Sequence, residues 1–382
     1  MSYRAGYKVI GLQGACNRFG SAIVNGGKYG KRGLVYATGS PGESHVSSSA
    51  NIANSFPIMS ATSDMSQQKE NIHQLQFKYA AHSIPKRGSI SHYLPPGYAH
   101  PPNGSAILAQ RNVLNMGQAG RNMRQLYGFT SGDDAYLAHK NFFGVADGVG
   151  QWHTKDRGAP ALWSRLILHH WARESRRYFF ERLRHDRYFP ITYNLFWRQA
   201  NADVKSMLQR AYKKTIRDSK LRGDWCGSTT ACVGLLDVDG TLRVANIGDS
   251  RLLVIRDGKI VLATTEMQHW FDCPYQLGTN SVDEPIKDAQ EFTIRLKSDD
   301  IIVCSTDGLG DNLFDWEILE EVNKNQHSLE TIATNLCQKA NEIGRDIWSL
   351  SPWMERATEE GLPFQGGKWD DTSVVICKVA KQ

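Results

Sequence analysis

No run of eighteen or more apolar residues occurs in this 382-residue chain, so no transmembrane helix is expected. The seven cysteines, at positions 16, 226, 232, 273, 304, 337 and 377, show no Cys-x-x-Cys and no zinc-type spacing. An odd, scattered set, partly inside apolar runs, excludes a disulfide scaffold and reads as free thiols in a reducing compartment. Acidic residues are nearly missing from residues 1–63, where Arg4, Lys8, Arg18, Lys28, Lys31 and Arg32 face only Glu43. The net charge of +6 therefore sits mostly at the start of the chain. The remainder gathers no basic patch, so nucleic acid is not an expected partner. A clean apolar signal-peptide core is also absent, which argues against secretion. The basic, acid-poor, serine-containing start fits a transit peptide to the mitochondrion. A plastid address, or a tail with no address in the cytoplasm, is the alternative.

What is present is enough apolar material, 41% of residues, for one sizeable core. Residues 1–110 are rich in Gly, Ser, Asn and Ala and are punctuated by Pro95-Pro96 and Pro101-Pro102. They are expected to form a low-complexity, disordered extension. Residues 111–382 are expected to form the catalytic domain. From about residue 125, Ala135–Ala138 and Asn141–Ala146 read as short strands. Helical spacing runs over Ala159–Arg184 and Leu195–Lys220. Ser228–Leu236, Leu242–Asn246 and Leu252–Arg256 read as strands, with Asp239-Gly240 and Asp257-Gly258 as hairpin turns. Gln290–Leu296 and Asp300–Ser305 are further strands, Trp316–Val322 and Leu329–Trp348 helices, and Thr372–Val379 a last strand. That order predicts an α+β fold with mostly antiparallel pairing, not alternating βαβ units.

Four acidic motifs stand at the ends of such runs: Gly132-Asp133-Asp134-Ala135, Val145-Ala146-Asp147-Gly148, Ser305-Thr306-Asp307-Gly308 and Trp369-Asp370-Asp371-Thr372. A lone Asp-Gly is usually a turn. Asp147 and Asp307 differ because each closes an apolar run, Phe142–Ala146 and Ile301–Thr306. Carboxylates gathered at one sheet rim repel one another and call for cations. With no His or Cys at useful spacing, the oxygen set suits Mg²⁺ or Mn²⁺. Two such ions can activate a water against a phosphoryl group without a covalent enzyme intermediate.

These motifs, together with Gly144–Gly150, Gly227–Ala231, Ala245–Arg251, Ser305–Leu309 and Asp370–Val375, resemble in order the motif set of the metal-dependent protein phosphatase 2C family. Pro274–Leu277 and Asp307–Leu313 resemble its organellar branch, related to the T-cell-activation phosphatase. The resemblance runs from about residue 125 to the C-terminus. It implies an α-β-β-α sandwich, two antiparallel sheets flanked by antiparallel helix pairs. It also implies Mn²⁺- or Mg²⁺-dependent hydrolysis of phosphoserine and phosphothreonine in a phosphoprotein substrate, by a monomer. On that basis Asp147 bridges two metals and Gly148 offers its backbone carbonyl. Asp307 and Asp370 bind one metal, and Asp134, more than Asp133, binds the other largely through water. Asp311, with Asp249, holds a weaker third cation. Asp147, Asp307 and Asp370 are the residues on which catalysis would depend. Val149 stands where many members carry a histidine, with His153 nearby. The family's phosphate-binding arginine has candidates in Arg121 and Arg124. Ser228 and Thr229 are expected to order the sheet, since a nucleophilic serine there lacks a base.

Two rivals stand beside this reading. Leu235–Leu242 resembles the nucleophile motif of the haloacid-dehalogenase superfamily, with Asp237 as nucleophile and Asp239 as general acid. That fold needs a parallel crossover after the motif, whereas Leu242–Asn246 resumes a strand at once. The other rival is a catalytically weak or dead family member that acts as a regulatory binding protein.

Overall fold

A computed structural model describes residues 75–86, 98–99, 124–188, 202–221 and 223–382. The transit-peptide expectation for residues 1–63 lies outside these residues, as does residues 195–201 of the second expected helix.

The principal strands are β1 (Leu75–Ile84), β2 (Phe129–Ser131), β3 (Asp134–Ala138), β4 (Phe142–Ala146), β5 (Ala231–Leu236), β6 (Thr241–Ile247), β7 (Arg251–Arg256), β8 (Lys259–Ala263), β9 (Gln290–Arg295), β10 (Ile301–Ser305) and β11 (Thr372–Lys381). The principal helices are α1 (Pro160–Tyr188), α2 (Val204–Leu221), α3 (Asp315–Lys324), α4 (Leu329–Arg345) and α5 (Pro352–Glu359). One sheet has the order β1-β11-β10-β7-β8 and the other β9-β6-β5-β4-β3-β2. Every pairing within both sheets is antiparallel.

The side-chain alternation of these strands builds three apolar layers. Ile302 and Cys304 of β10 face the other sheet, where Phe143, Val145, Cys232 and Val244 meet them. Ile301 and Val303, one residue out of phase, pack instead on Leu309, Leu336 and Ala340 of the helical side. In the second sheet Ala135, Leu137, Val233 and Leu235 face α1 and α2 through Trp163, Trp171, Met207 and Leu208. A strand buried on both faces has no polar side to show, so β3, β4 and β5 are buried at every position. The result is α+β, a helix–sheet–sheet–helix sandwich.

Two expectations need correction. The boundary expected near residue 110 leaves β1 outside the folded domain. Yet Leu75–Ile84 pairs with β11 along its whole length, from Leu75 opposite Lys381 to Ile84 opposite Thr372. Phe77 enters the layer between the sheets and Ala80 the layer under α4. The helix expected over Leu329–Trp348 stops at Arg345. Asp346 turns the chain there, accepting the Trp348 amide at 2.9 Å and the Ser349 hydroxyl at 2.6 Å. Among the described residues, no helix is long and apolar enough to cross a membrane. Among the described residues, Cys226, Cys232, Cys304, Cys337 and Cys377 are free thiols.

Candidate metal centre

Antiparallel register delivers the acidic residues to one rim. Ala135 faces Ala146 across β3 and β4, so Asp134 and Asp147 lie side by side at the start of one strand and the end of the next. Ser305 faces both Val374 and Arg251, so the end of β10 meets the starts of β11 and β7. Asp307, Asp370 and Asp249 flank those points in sequence. Their positions follow from strand ends, not from proximity along the chain.

At that rim carboxylate oxygens of Asp147, Asp249 and Asp307 all lie within 4.8 Å of one another. Asp134 is fully buried, and its Oδ2 accepts from the Thr306 hydroxyl at 2.7 Å. One oxygen each of Asp134, Asp249 and Asp307 is buried with no hydrogen-bond partner. An orphaned buried carboxylate oxygen is costly. Asp249 and Asp307, which carry two of these oxygens, also belong to the convergent group, and that fits a hard cation, which takes oxygen ligands. Titration behaviour agrees. Burial, then neighbouring aspartates, raise Asp147 and Asp249 well above the ordinary carboxylate range. Asp134 is raised in the same way, by burial and then by Asp371. Burial pushes Asp311 up to about 7, with Lys368 opposing it.

The backbone around the cluster is held tightly. The Asp147 amide donates to Thr230 Oγ1 at 3.0 Å, and the Thr230 amide to the Asp147 carbonyl at 2.8 Å. A Cβ on Gly148 would lie 2.5 Å from the Asp133 carbonyl oxygen, and one on Gly308 would lie 2.0 Å from that of Asp371. No other residue fits either place.

The family-model comparison matches residues 194–379 to the Stage II sporulation protein E (SpoIIE) family. Probable protein phosphatase 2C 1 of Oryza sativa subsp. japonica is 30% identical over 264 residues, covering 65% of this chain and 71% of that protein. The protein phosphatase PTC7 homolog of Xenopus laevis is 31% identical over 273 residues, covering 66% and 83%. This chain belongs to the protein phosphatase 2C family. Its human PTC7 homolog relative is 32% identical over 269 residues, covering 65% of the chain and 80% of that protein. Among solved structures, the photosystem II phosphatase PBCP aligns with 80% of the chain and all of itself, at 25% identity and a TM-score of 0.57. The activity class is therefore that of a protein serine/threonine phosphatase.

Within this phosphatase 2C fold the acidic doublets divide. Both oxygens of Asp133 lie 2.8 Å from His153 Nε2, beside the Gly148–Gly150 backbone. Asp371 accepts the amides of Asp133 at 2.8 Å and Lys86 at 2.5 Å, tying β3 to the end of β1. Asp370 instead faces two ammonium groups, Lys86 at 3.5 Å and Lys368 at 3.8 Å. Asp311 lies under Lys368, 2.9 Å away. Val149 donates its amide to the Ser228 carbonyl at 3.0 Å. The Ser228 hydroxyl sits between Trp152 Nε1 and Gln276 Oε1 at 2.6 and 2.5 Å. Arg124 belongs to a two-residue strand paired with Tyr98–Ala99, and Arg121 lies outside the described residues. Lys86 and Lys368 escaped sequence reasoning. Thr230 and Thr306 lie inside the motifs Gly227–Ala231 and Ser305–Leu309 but carry no assigned role there.

Asp237, the rival nucleophile, sits in the β5–β6 hairpin, where Leu236 faces Leu242. It accepts from Tyr178 at 2.7 Å, from Arg243 at 3.3 Å and from the Ala202 amide at 3.3 Å. A separate cavity of about 580 Å³, lined by Trp163, Tyr212, Lys213, Trp225 and Glu284, includes none of the rim aspartates.

Proposed function

We propose that the acidic rim hydrolyses phosphoserine and phosphothreonine esters of a phosphoprotein with two divalent cations, Mn²⁺ or Mg²⁺. The observation that carries this reading is the convergence of Asp147, Asp249 and Asp307 oxygens within 4.8 Å, three of the rim's buried carboxylate oxygens being unpartnered. Bound there, the cations supply Lewis acidity and a water that is nucleophilic at neutral pH. Asp147 would serve both cations, with the Gly148 carbonyl as a further oxygen ligand. Asp307 and Asp370 would serve one, and Asp134 the other. Thr230 holds the Asp147 backbone in place, and Thr306 orients Asp134. Asp133 and His153 border the same rim, so a proton for the departing alcohol has a titratable neighbour.

The test is turnover of a phosphothreonine peptide with Mn²⁺ at saturation. Asp147→Asn is expected to lower it by about 10²-fold or more, because the lost charge serves both cations. EDTA is expected to abolish wild-type turnover. An Asp147→Asn enzyme that keeps more than about a tenth of wild-type turnover contradicts the reading.

A further inference from the structure

Asp311 differs from the other rim aspartates in having each of its two oxygens held by a cationic side chain at hydrogen-bond distance. Lys368 Nζ lies 2.9 Å from its Oδ2, and the Arg356 guanidinium holds its Oδ1. The same ammonium reaches Asp307 Oδ2 at 2.7 Å and Asp272 Oδ1 at 2.8 Å, with Asp370 Oδ2 at 3.8 Å. Asp134, Asp249 and Asp307 each keep an orphaned oxygen, and Asp311 does not. Resemblance to the family implies a weaker third cation at Asp311. The side chains present do not fit that cation: a hard divalent ion needs free oxygen lone pairs, and here two fixed positive groups already use them.

Lys368 is built into this position. Its amide donates to Asn312 Oδ1 at 2.9 Å, and Asn312 Nδ2 donates to the Lys368 carbonyl at 2.8 Å and the Gly308 carbonyl at 2.9 Å. Asn312 directly follows Asp311, and Gly308 directly follows Asp307. One amide side chain therefore fixes the lysine to the turn that carries both aspartates. The Lys368 side chain is only 17% exposed. Arg356 is delivered by α5, whose Trp353 amide donates to the Asp311 carbonyl at 3.0 Å. Arg356 also stands 3.8 Å from Glu266.

We propose that Lys368 and Arg356 are built-in positive charges that replace a third divalent cation at Asp311, leaving this centre with two exchangeable ions. The proposal rests on the two-cation reading above. An ammonium attached to the chain cannot dissociate, so the charge on Asp311 is offset at every metal concentration. Metal binding should then saturate without a further weak phase.

Equilibrium dialysis against Mn²⁺ up to millimolar free ion, with metal counted per chain by atomic emission, tests this. Wild type is expected to hold two ions, and Lys368→Arg also two. Lys368→Met combined with Arg356→Met is expected to hold three, the third weakly. A wild-type count of three overturns the proposal, as does a count of two in a double variant that still melts cooperatively. If the double variant does not fold, the wild-type count and single Lys368→Met decide in the same way. A wild-type count below two overturns the two-cation reading itself, and this proposal with it.

Discussion

Asp237 and Asp147 look alike in sequence, each an aspartate closing a run of small and branched apolar residues, yet their surroundings divide their work. Asp147 faces other carboxylates and has its charge unopposed by any cationic side chain that the structure places against it. Asp237 is ringed by donors from Tyr178, Arg243, Ala202 and Val238. A carboxylate so satisfied is a structural knot that ties the β5–β6 hairpin to α1. Its replacement should therefore lower stability and leave the chemistry intact. Asp237→Asn is expected to lose about 1–3 kcal/mol of unfolding free energy, through weakened charged hydrogen bonds. Its turnover with saturating Mn²⁺ should stay near that of wild type, a contrast with Asp147→Asn that denaturant melts and initial rates read directly. Abolished turnover in a folded Asp237→Asn enzyme would restore the dehalogenase-type reading.

At the scale of elements, strands such as β10 were legible because a continuous apolar run must be buried on two faces, and helices α1 and α4 because their apolar residues recur at threes and fours. The acidic residues were legible for a related reason: they end those runs, and ends of neighbouring antiparallel strands share a rim. β1 was not legible. Leu75–Ile84 follows a polar, low-complexity stretch, and its partner β11 lies at the opposite end of the chain. Lys86 and Lys368 were invisible for the same long-range reason, since a basic residue in a loop has no periodic signature, and Arg356 lies on the short helix α5, which is not among the helices expected from the sequence. β1 also covers an edge of β11 that would otherwise present unpaired backbone groups to other chains. A chain starting at His73 is expected to keep its cooperative melt and its turnover. A chain lacking residues 1–86 loses both the edge cover and the Lys86 amide that Asp371 accepts. It is expected to be aggregated or non-cooperative by size exclusion and thermal melting, and an unchanged melt would sink this role for β1.

Over the whole molecule, the gathering of carboxylates sets the stability of the fold against the ionisation of its own active rim. Asp311 and Asp371 are each pushed up to about 7, first by burial. The unfolded chain releases such protons near about 3.9. Between these values the folded state binds more protons than the unfolded one. Their stabilising contribution is thus fully present below about pH 4 and is lost as pH rises towards about 7. Asp134, Asp147 and Asp249, raised first by burial, follow the same trend. Cations bind the ionised carboxylates of the folded state, so they return stability where protons no longer do. Without metal, the melting temperature should fall from pH 5 to pH 7.5 as this rim ionises. Adding Mn²⁺ at about a hundred times its dissociation constant should raise it by about 5–10 °C at pH 7.5. The rise at pH 5 should be much smaller, because protons compete for the same oxygens. Thermal melts with and without Mn²⁺ at the two pH values read this difference, and an equal shift at both would contradict the coupling of rim ionisation to folding.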